Sequence, residues 1–295
     1  MKRNPIFIGG DGRSGTTLLS LILNSHSKLI VGPELHFRGP KNLSSYILGC
    51  LKQWELMKGD LLGLKKNEYY KNAVNFIVRC KRFGIDEKIL EAMINKVVFL
   101  NNYEMIKFEE RAVLIDEMSS YLINISHAER WGIKIMKDIK ISNKYLEIWP
   151  EAQFVHIVRD GRDVAASQMR DHGSWGYKSI EDAAKGWKEL IDRSRVTPNG
   201  SLLELKYEDL VRYPQKSIHQ ITDFLNIDWE DRVLYHHEYD HSLYRNSYNH
   251  PSINTVINPI NQNAIGRYKK DLSLKEIEIF NTMAKSYLLE FGYID

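Results

Sequence analysis

Short apolar runs alternate along this chain with longer stretches of helical period. Ile6-Phe7-Ile8 is a brief apolar run of the kind a buried parallel strand carries. Four glycines follow within the seven residues Gly9-Gly10-Asp11-Gly12-Arg13-Ser14-Gly15, and Thr16-Thr17 then opens the helical pattern Leu18-Leu19-Ser20-Leu21-Ile22-Leu23. Residues 27–32 read as a second strand, ended by Pro33. From 40 to 130 the pattern lengthens. Leu43, Ile47 and Leu51, then Tyr69, Ala73, Phe76, Ile77 and Cys80, then Ile89, Leu90, Met93, Ile94 and Val97 recur at three- and four-residue steps, which predicts helices. Ser119-Ser120-Tyr121-Leu122 fits neither period.

Strand character returns at Trp131-Gly132-Ile133-Lys134-Ile135-Met136, and a helix with Tyr145, Leu146 and Ile148 leads to Pro150. The run Phe154-Val155-His156-Ile157-Val158 ends at Arg159, Asp160-Gly161 turns the chain, and residues 163–169 continue as helix. Residues 180–195 form an amphipathic helix, 202–207 a strand, and 214–225 and 274–291 further helices; 240–270 read as an ordered polar loop. Strand alternating with helix predicts an α/β fold, a P-loop-like parallel sheet flanked by helices. The 295 residues make one domain, 1–295, with 40–130 a helical insertion capping the mouth of the site. Tyr46, Trp54, Tyr69, Tyr70, Phe76 and Tyr103 are expected to build the core of that insertion.

The first junction carries the chemistry. A strand, a glycine loop and a helix start aim backbone N–H groups and a positive helix end at an anion. Gly10 and Gly15 have the spacing of a nucleoside-triphosphate P-loop, but Thr16 stands where that motif needs lysine. Without the lysine that reaches the β- and γ-phosphates, the cradle suits a smaller anion held without metal, with Arg13 on its rim. At the second junction, Arg159 and Ser167 can face one anion; the alternative is that these arginines pair with Asp160 and Asp163. Arg162 and Arg170 add charge nearby. Glu34 and His36 follow a strand end, where ligands gather in open α/β sheets, and either could take a proton from an acceptor hydroxyl. Lys134 and Lys137 are candidates for stabilising charge on a transferred group.

Bulk properties narrow the field. Net charge is +3 and no basic stripe or aromatic nucleic-acid pattern is present, so no nucleic-acid footprint shows. Cys50 and Cys80 lack metal-ligand spacing and read as buried apolar residues. With neither a signal-peptide pattern nor an apolar run of about eighteen residues, a cytoplasmic location is expected.

With both junctions in view, the chain resembles the PAPS-dependent sulfotransferases, in the branch of bacterial and tyrosylprotein enzymes. Gly12-Arg13-Ser14-Gly15-Thr16-Thr17 resembles that family's 5′-phosphosulfate loop, and Val158-Arg159-Asp160-Gly161-Arg162-Asp163-Val164 with Ser167 its 3′-phosphate site. Lys206-Tyr207-Glu208-Asp209-Leu210 is similar to a strand-end element near the nucleotide, and Gly266-Arg267-Tyr268 to a closing loop. The resemblance implies that Arg13, Ser14, Gly15, Thr16 and Thr17 hold the 5′-phosphosulfate, that Arg159 and Ser167 hold the 3′-phosphate, and that Tyr207 and Arg267 contact the cofactor. Glu34 in Gly32-Pro33-Glu34 falls where the tyrosylprotein branch has its general base. The family's basic residue matches Lys134 or Lys137. The implied reaction is metal-free sulfuryl transfer from 3′-phosphoadenosine 5′-phosphosulfate (PAPS), releasing 3′-phosphoadenosine 5′-phosphate (PAP), to a hydroxyl on a carbohydrate, tyrosyl peptide, lipid or small molecule. The rival readings are a P-loop nucleotide kinase or NTPase and a catalytically silent nucleotide-binding protein.

Overall fold

The computed structural model describes residues 4–35, 42–57, 59–67, 69–101, 104–170, 176–239 and 253–295. His36 and Tyr103 lie outside these, as does 240–252, most of the first half of the expected polar loop. The chain runs β1 (Ile6–Gly9), α1 (Thr16–Asn24), β2 (Leu29–Glu34), then five helices: α2 (Leu43–Leu56), α3 (Leu61–Lys66), α4 (Lys71–Arg82), α5 (Glu87–Asn101) and α6 (Phe108–Ser126). β3 (Arg130–Met136), a 3₁₀ turn (Lys137–Ile141), α7 (Ser142–Ile148), β4 (Gln153–Val158), α8 (Gly161–Arg170) and α9 (Ile180–Ser194) follow. The rest is β5 (Leu202–Lys206), α10 (Tyr207–Arg212), α11 (Pro214–Leu225), α12 (Ile253–Val256), α13 (Tyr268–Asp271), α14 (Leu274–Met283) and α15 (Lys285–Glu290).

The five strands form one parallel sheet in the order β2-β3-β1-β4-β5. Alternate residues of the strands feed two cores. Phe7, Ile133, Ile135 and Phe154 face the apolar sides of α2, α4, α5 and α6, with the Phe7 ring among Tyr145, Trp149, Phe154 and Trp131 at 4.8, 5.4, 5.3 and 5.8 Å. Ile6, Ile8, Val31, Val155 and Ile157 face α1, α10 and α11 instead. A third cluster joins α8 and α9 to α14 and α15 around Trp187 and Phe280. No helix among the described residues is long and apolar enough to cross a membrane.

Three local expectations are corrected. β2 does not stop at Pro33 but runs to Glu34, with a shift of pairing between Gly32 and Glu34. It is an edge strand, where a residue lacking N–H is tolerated at a bulge. Ser119 to Leu122 lie inside α6. The closing helix is two helices, α14 and α15, parted at Ala284, which is fully buried in the third cluster.

Candidate active site

The sheet order places the site. β1 and β4 are neighbours, yet the chain leaves β1 toward β2 on one side and leaves β4 toward β5 on the other. Their carboxyl-end loops therefore diverge and open a crevice, the usual ligand position in such sheets. A cavity of about 1180 Å³ occupies it. Arg13, Gly15, Thr16 and Thr17 line it from the first junction and Arg159 and Ser167 from the second. Glu34, Lys134 and Lys137 line it from the ends of β2 and β3, Tyr207 from the start of α10, and Arg267 from the segment before α13. Ser14 stays behind the surface: it is buried and its hydroxyl donates to the Asp11 carbonyl at 2.8 Å.

The loop after β1 is held in a demanding shape. Gly15 has φ +102, and a Cβ there would fall 2.5 Å from the Tyr207 ring. Arg13 adopts φ +72, uncommon for a residue with a side chain. Its Nε donates to Ser167 Oγ at 3.0 Å, and its carbonyl accepts from Arg159 Nη1 at 3.0 Å. Asp11 is the inner anchor: its carboxylate accepts from Gly12 N at 2.7 Å, Gln168 Nε2 at 2.9 Å and Tyr177 Oη at 2.6 Å. Behind this loop α1 starts with no side-chain cap and no acidic residue in its first turn. The positive end of the helix is thus left uncompensated beside the cavity.

The arginines divide. Arg162 pairs with both oxygens of Asp160, at 3.0 and 2.8 Å, and also donates to the Tyr293 carbonyl at 2.9 Å; it is a structural residue. Arg170 pairs with Asp271 at 2.6 Å. Arg159 uses Nη1 on the Arg13 carbonyl and Nη2 on Asp163, at 3.2 Å, and on the Ala264 carbonyl. Its guanidinium lies 4.9 Å from the centre of the Tyr207 ring. Its Nε is buried and has no hydrogen-bond partner among the described residues, which is costly for a charged donor. Arg267 reaches Ser167 Oγ at 3.4 Å, so the side chains of Arg13 and Arg267 meet at one hydroxyl. The sequence alternative of arginines paired with Asp160 and Asp163 therefore accounts for Arg162, and for one edge of Arg159.

The two lysines also separate. Lys134 is fully buried, and its Nζ donates to Thr17 Oγ1 at 2.7 Å. Burial pulls its pKa down to about 8, against the opposing pull of Glu34, while Arg82 and Arg79 reinforce the lowering. Lys137 is partly exposed and bound into the loop anchor, 3.0 Å from Asp11 Oδ1 and 2.9 Å from Tyr177 Oη. Glu34 Oε1 lies 3.4 Å from Arg79 Nη2 of α4. α4 comes this close because Gly32 has no side chain: a Cβ there would sit 1.7 Å from the Phe83 ring.

Sequence reasoning missed several lining groups. Lys71, Asn75, Arg79 and Arg82 all line the cavity. They stand at i, i+4, i+8 and i+11 of α4, opposite the buried Ala73, Phe76, Ile77 and Cys80. A polar stripe with three cations and no acid was the available signal. Asp11 and Gln168 carried none, because their partners lie more than 150 residues away or in unrelated loops. Among the described residues, no group of three or more His, Cys, Asp or Glu is arranged to hold a metal.

Comparison with known proteins gives a consistent result. The chain is 24% identical over 270 residues to protein-tyrosine sulfotransferase A of Caenorhabditis elegans, covering 88% of this chain and 60% of that one. It is 26% identical over 297 residues to protein-tyrosine sulfotransferase 1 of Danio rerio, covering 98% and 72%. The chain thus spans only part of the length of these relatives. In fold it is similar to the sulfotransferase domain from the curacin biosynthetic pathway, with a TM-score of 0.62 at 18% identity, covering 96% of this chain and 98% of that one. It is similar also to the sulfotransferase domain of the Synechococcus PCC 7002 olefin synthase, with a TM-score of 0.60 at 22% identity and 96% of each chain covered. The profile of the Sulfotransferase family matches residues 5–231, most of the chain and both loop junctions, and the chain belongs to that family.

Proposed function

We propose that this protein moves a sulfuryl group from PAPS to an acceptor hydroxyl by in-line displacement without a metal. The observation that carries the reading is the meeting of Arg13 and Arg267 at the Ser167 hydroxyl, with Arg159 lining the same cavity. In this reading Arg159, Ser167 and Arg267 take the 3′-phosphate, and Tyr207 forms the wall beneath Arg159. Arg13, Gly15, Thr16, Thr17 and the amides of the loop take the 5′-phosphosulfate; Ser14 contributes only its backbone, since its hydroxyl is committed to Asp11.

When bound, the donor supplies an activated sulfuryl group whose transfer leaves negative charge on the bridging oxygen. The protein meets that charge with Lys134, Arg13 and the uncapped start of α1, oriented beforehand and partly shielded from water. Lys134 is assigned this role and Lys137 the support of the loop, because only Lys134 is buried against Thr17. Glu34 accepts the proton of the acceptor hydroxyl as its oxygen bonds to sulfur and the bond from sulfur to the bridging oxygen breaks. The acceptor approaches past the cationic stripe of α4, which favours one with negative charge near its hydroxyl. A tyrosyl peptide is the first acceptor class to try, given the names of the relatives; carbohydrate, lipid and small-molecule hydroxyls come next.

Thermal-shift titration with PAP, set against ATP with Mg²⁺, tests the donor. A ligand at about a hundred times its Kd stabilises a fold by roughly 2.7 kcal/mol. Stabilisation by PAP in the presence of a chelator supports the reading. Stabilisation by ATP·Mg²⁺ alone would replace it with a kinase or NTPase, and no response to either would favour a silent binding protein.

A further inference from the structure

Asp163 is a fully buried carboxylate on the first turn of α8, and it faces the nucleotide side of the cavity without lining it. Its Oδ2 accepts from Arg159 Nη2 at 3.2 Å and from the Gly266 amide at 2.9 Å. Its Oδ1 accepts from the Tyr268 amide at 2.9 Å. Arg267 is the residue between those two amides, and it reaches Ser167 from the same segment. The Ala264 carbonyl, a few residues earlier, accepts from Arg159 Nη2 as well. One carboxylate therefore fixes one edge of Arg159 and grips the backbone on either side of Arg267, two arginines that line the same cavity.

We propose that Asp163 is a positioning residue that couples Arg159 to the 264–268 segment for recognition of the donor's 3′-phosphate. This rests on the donor assignment above. Asp163 needs no contact with ligand. It makes the two arginines a preorganised pair, so the ordering cost of bringing Arg267 to the anion is met when the protein folds. In Asp163→Asn, Arg159 loses an ion-pair partner and one of the two amides of the segment loses its acceptor, since an amide side chain keeps a single acceptor oxygen. The loss falls first on the 3′-phosphate: the 5′ loop touches Arg159 through the Arg13 carbonyl, and it keeps its own anchor at Asp11.

The test compares PAP with adenosine 5′-phosphate, which lacks the 3′-phosphate, by calorimetric titration of the full chain. Wild type is measured first: no preference for PAP would overturn the donor assignment itself. If wild type prefers PAP, Asp163→Asn is expected to cut that preference at least fivefold while affinity for adenosine 5′-phosphate stays within threefold. A smaller cut, or equal loss of both ligands, overturns the coupling. In the double variant with Arg267→Gln, the effect of the second substitution is expected to shrink; full additivity counts against the proposal. Amide hydrogen exchange on wild type decides the matter even if the variant does not fold. PAP is expected to slow exchange at Gly266 and Tyr268 at least tenfold more than adenosine 5′-phosphate does. Equal protection by the two ligands overturns it.

Discussion

The two halves of the crevice are built on different principles. The half proposed to take the donor (the donor half) comes from strand ends and the helix starts that follow them, and three of its groups are buried: Thr16 is 3% exposed, Ser167 2% and Arg159 5%. Arg159 and Ser167 are each held by two bonds to other segments, and Thr16 donates to Met136 Sδ at the end of β3. The acceptor half comes from Glu34 at a sheet edge and from α4, whose cations are partly exposed and reach the cavity through helix packing. Recognition of a constant ligand can be built into backbone that the sheet already holds rigid. A variable ligand is met by side chains on an appended helical layer, which can change without disturbing the sheet.

The largest expected effect crosses the boundary between the halves. Glu34→Gln is expected to lower sulfuryl transfer by roughly 10²–10⁴, with PAP affinity unchanged within twofold, read from initial rates with labelled donor and from PAP titration. Equal turnover would remove Glu34 as the base and leave the acceptor half with no catalytic part. Next is Lys134→Met, expected to slow transfer by about 10²–10³, as loss of a donor that meets developing charge does. The same change should raise the melting temperature of the ligand-free protein. The Lys134 pKa is about 8 in the fold against a usual 10.5, so between those values the unfolded chain binds more protons and stability contributed by this group rises with pH. Below pH 8 the cost of burying the charge is present in full, on the order of 3 kcal/mol. The advantage of the methionine variant is therefore greatest at pH 7 and fades from pH 8 toward 10.5; a variant less stable than wild type at pH 7 breaks this account. The smallest effect belongs to the acceptor wall. Arg79→Gln is expected to raise the acceptor KM several-fold for a tyrosyl peptide flanked by acidic residues, and less for one flanked by neutral residues, with PAP affinity unchanged. A change in PAP affinity would erase the division between the halves.

The two junctions that line the cavity were legible because the residues of each are contiguous. A short apolar run, a glycine loop and a helix start specify where backbone N–H groups point before any long-range contact is known. The role of Arg162 was not, since Arg159 and Arg162 have the same side chain three residues apart and only the position of Asp160, Asn281 and Tyr293 separates them. Lys134 and Lys137 posed the same difficulty. Their spacing says nothing about which is buried; the pleat of β3 and the turn after Met136 decide that.

Local pattern and residue chemistry were enough to specify the alternation of strands and helices, the two strand-to-helix junctions that line the cavity and the lack of a P-loop lysine. The tertiary structure alone decided the strand order that brings the two loops together, the separation of structural from site arginines, the arrival of α4 over Glu34 through the Gly32–Phe83 contact, and the grip of Asp163 on the 264–268 segment. Those depend on contacts between residues tens to hundreds of positions apart, and such pairings leave no mark on local period or propensity.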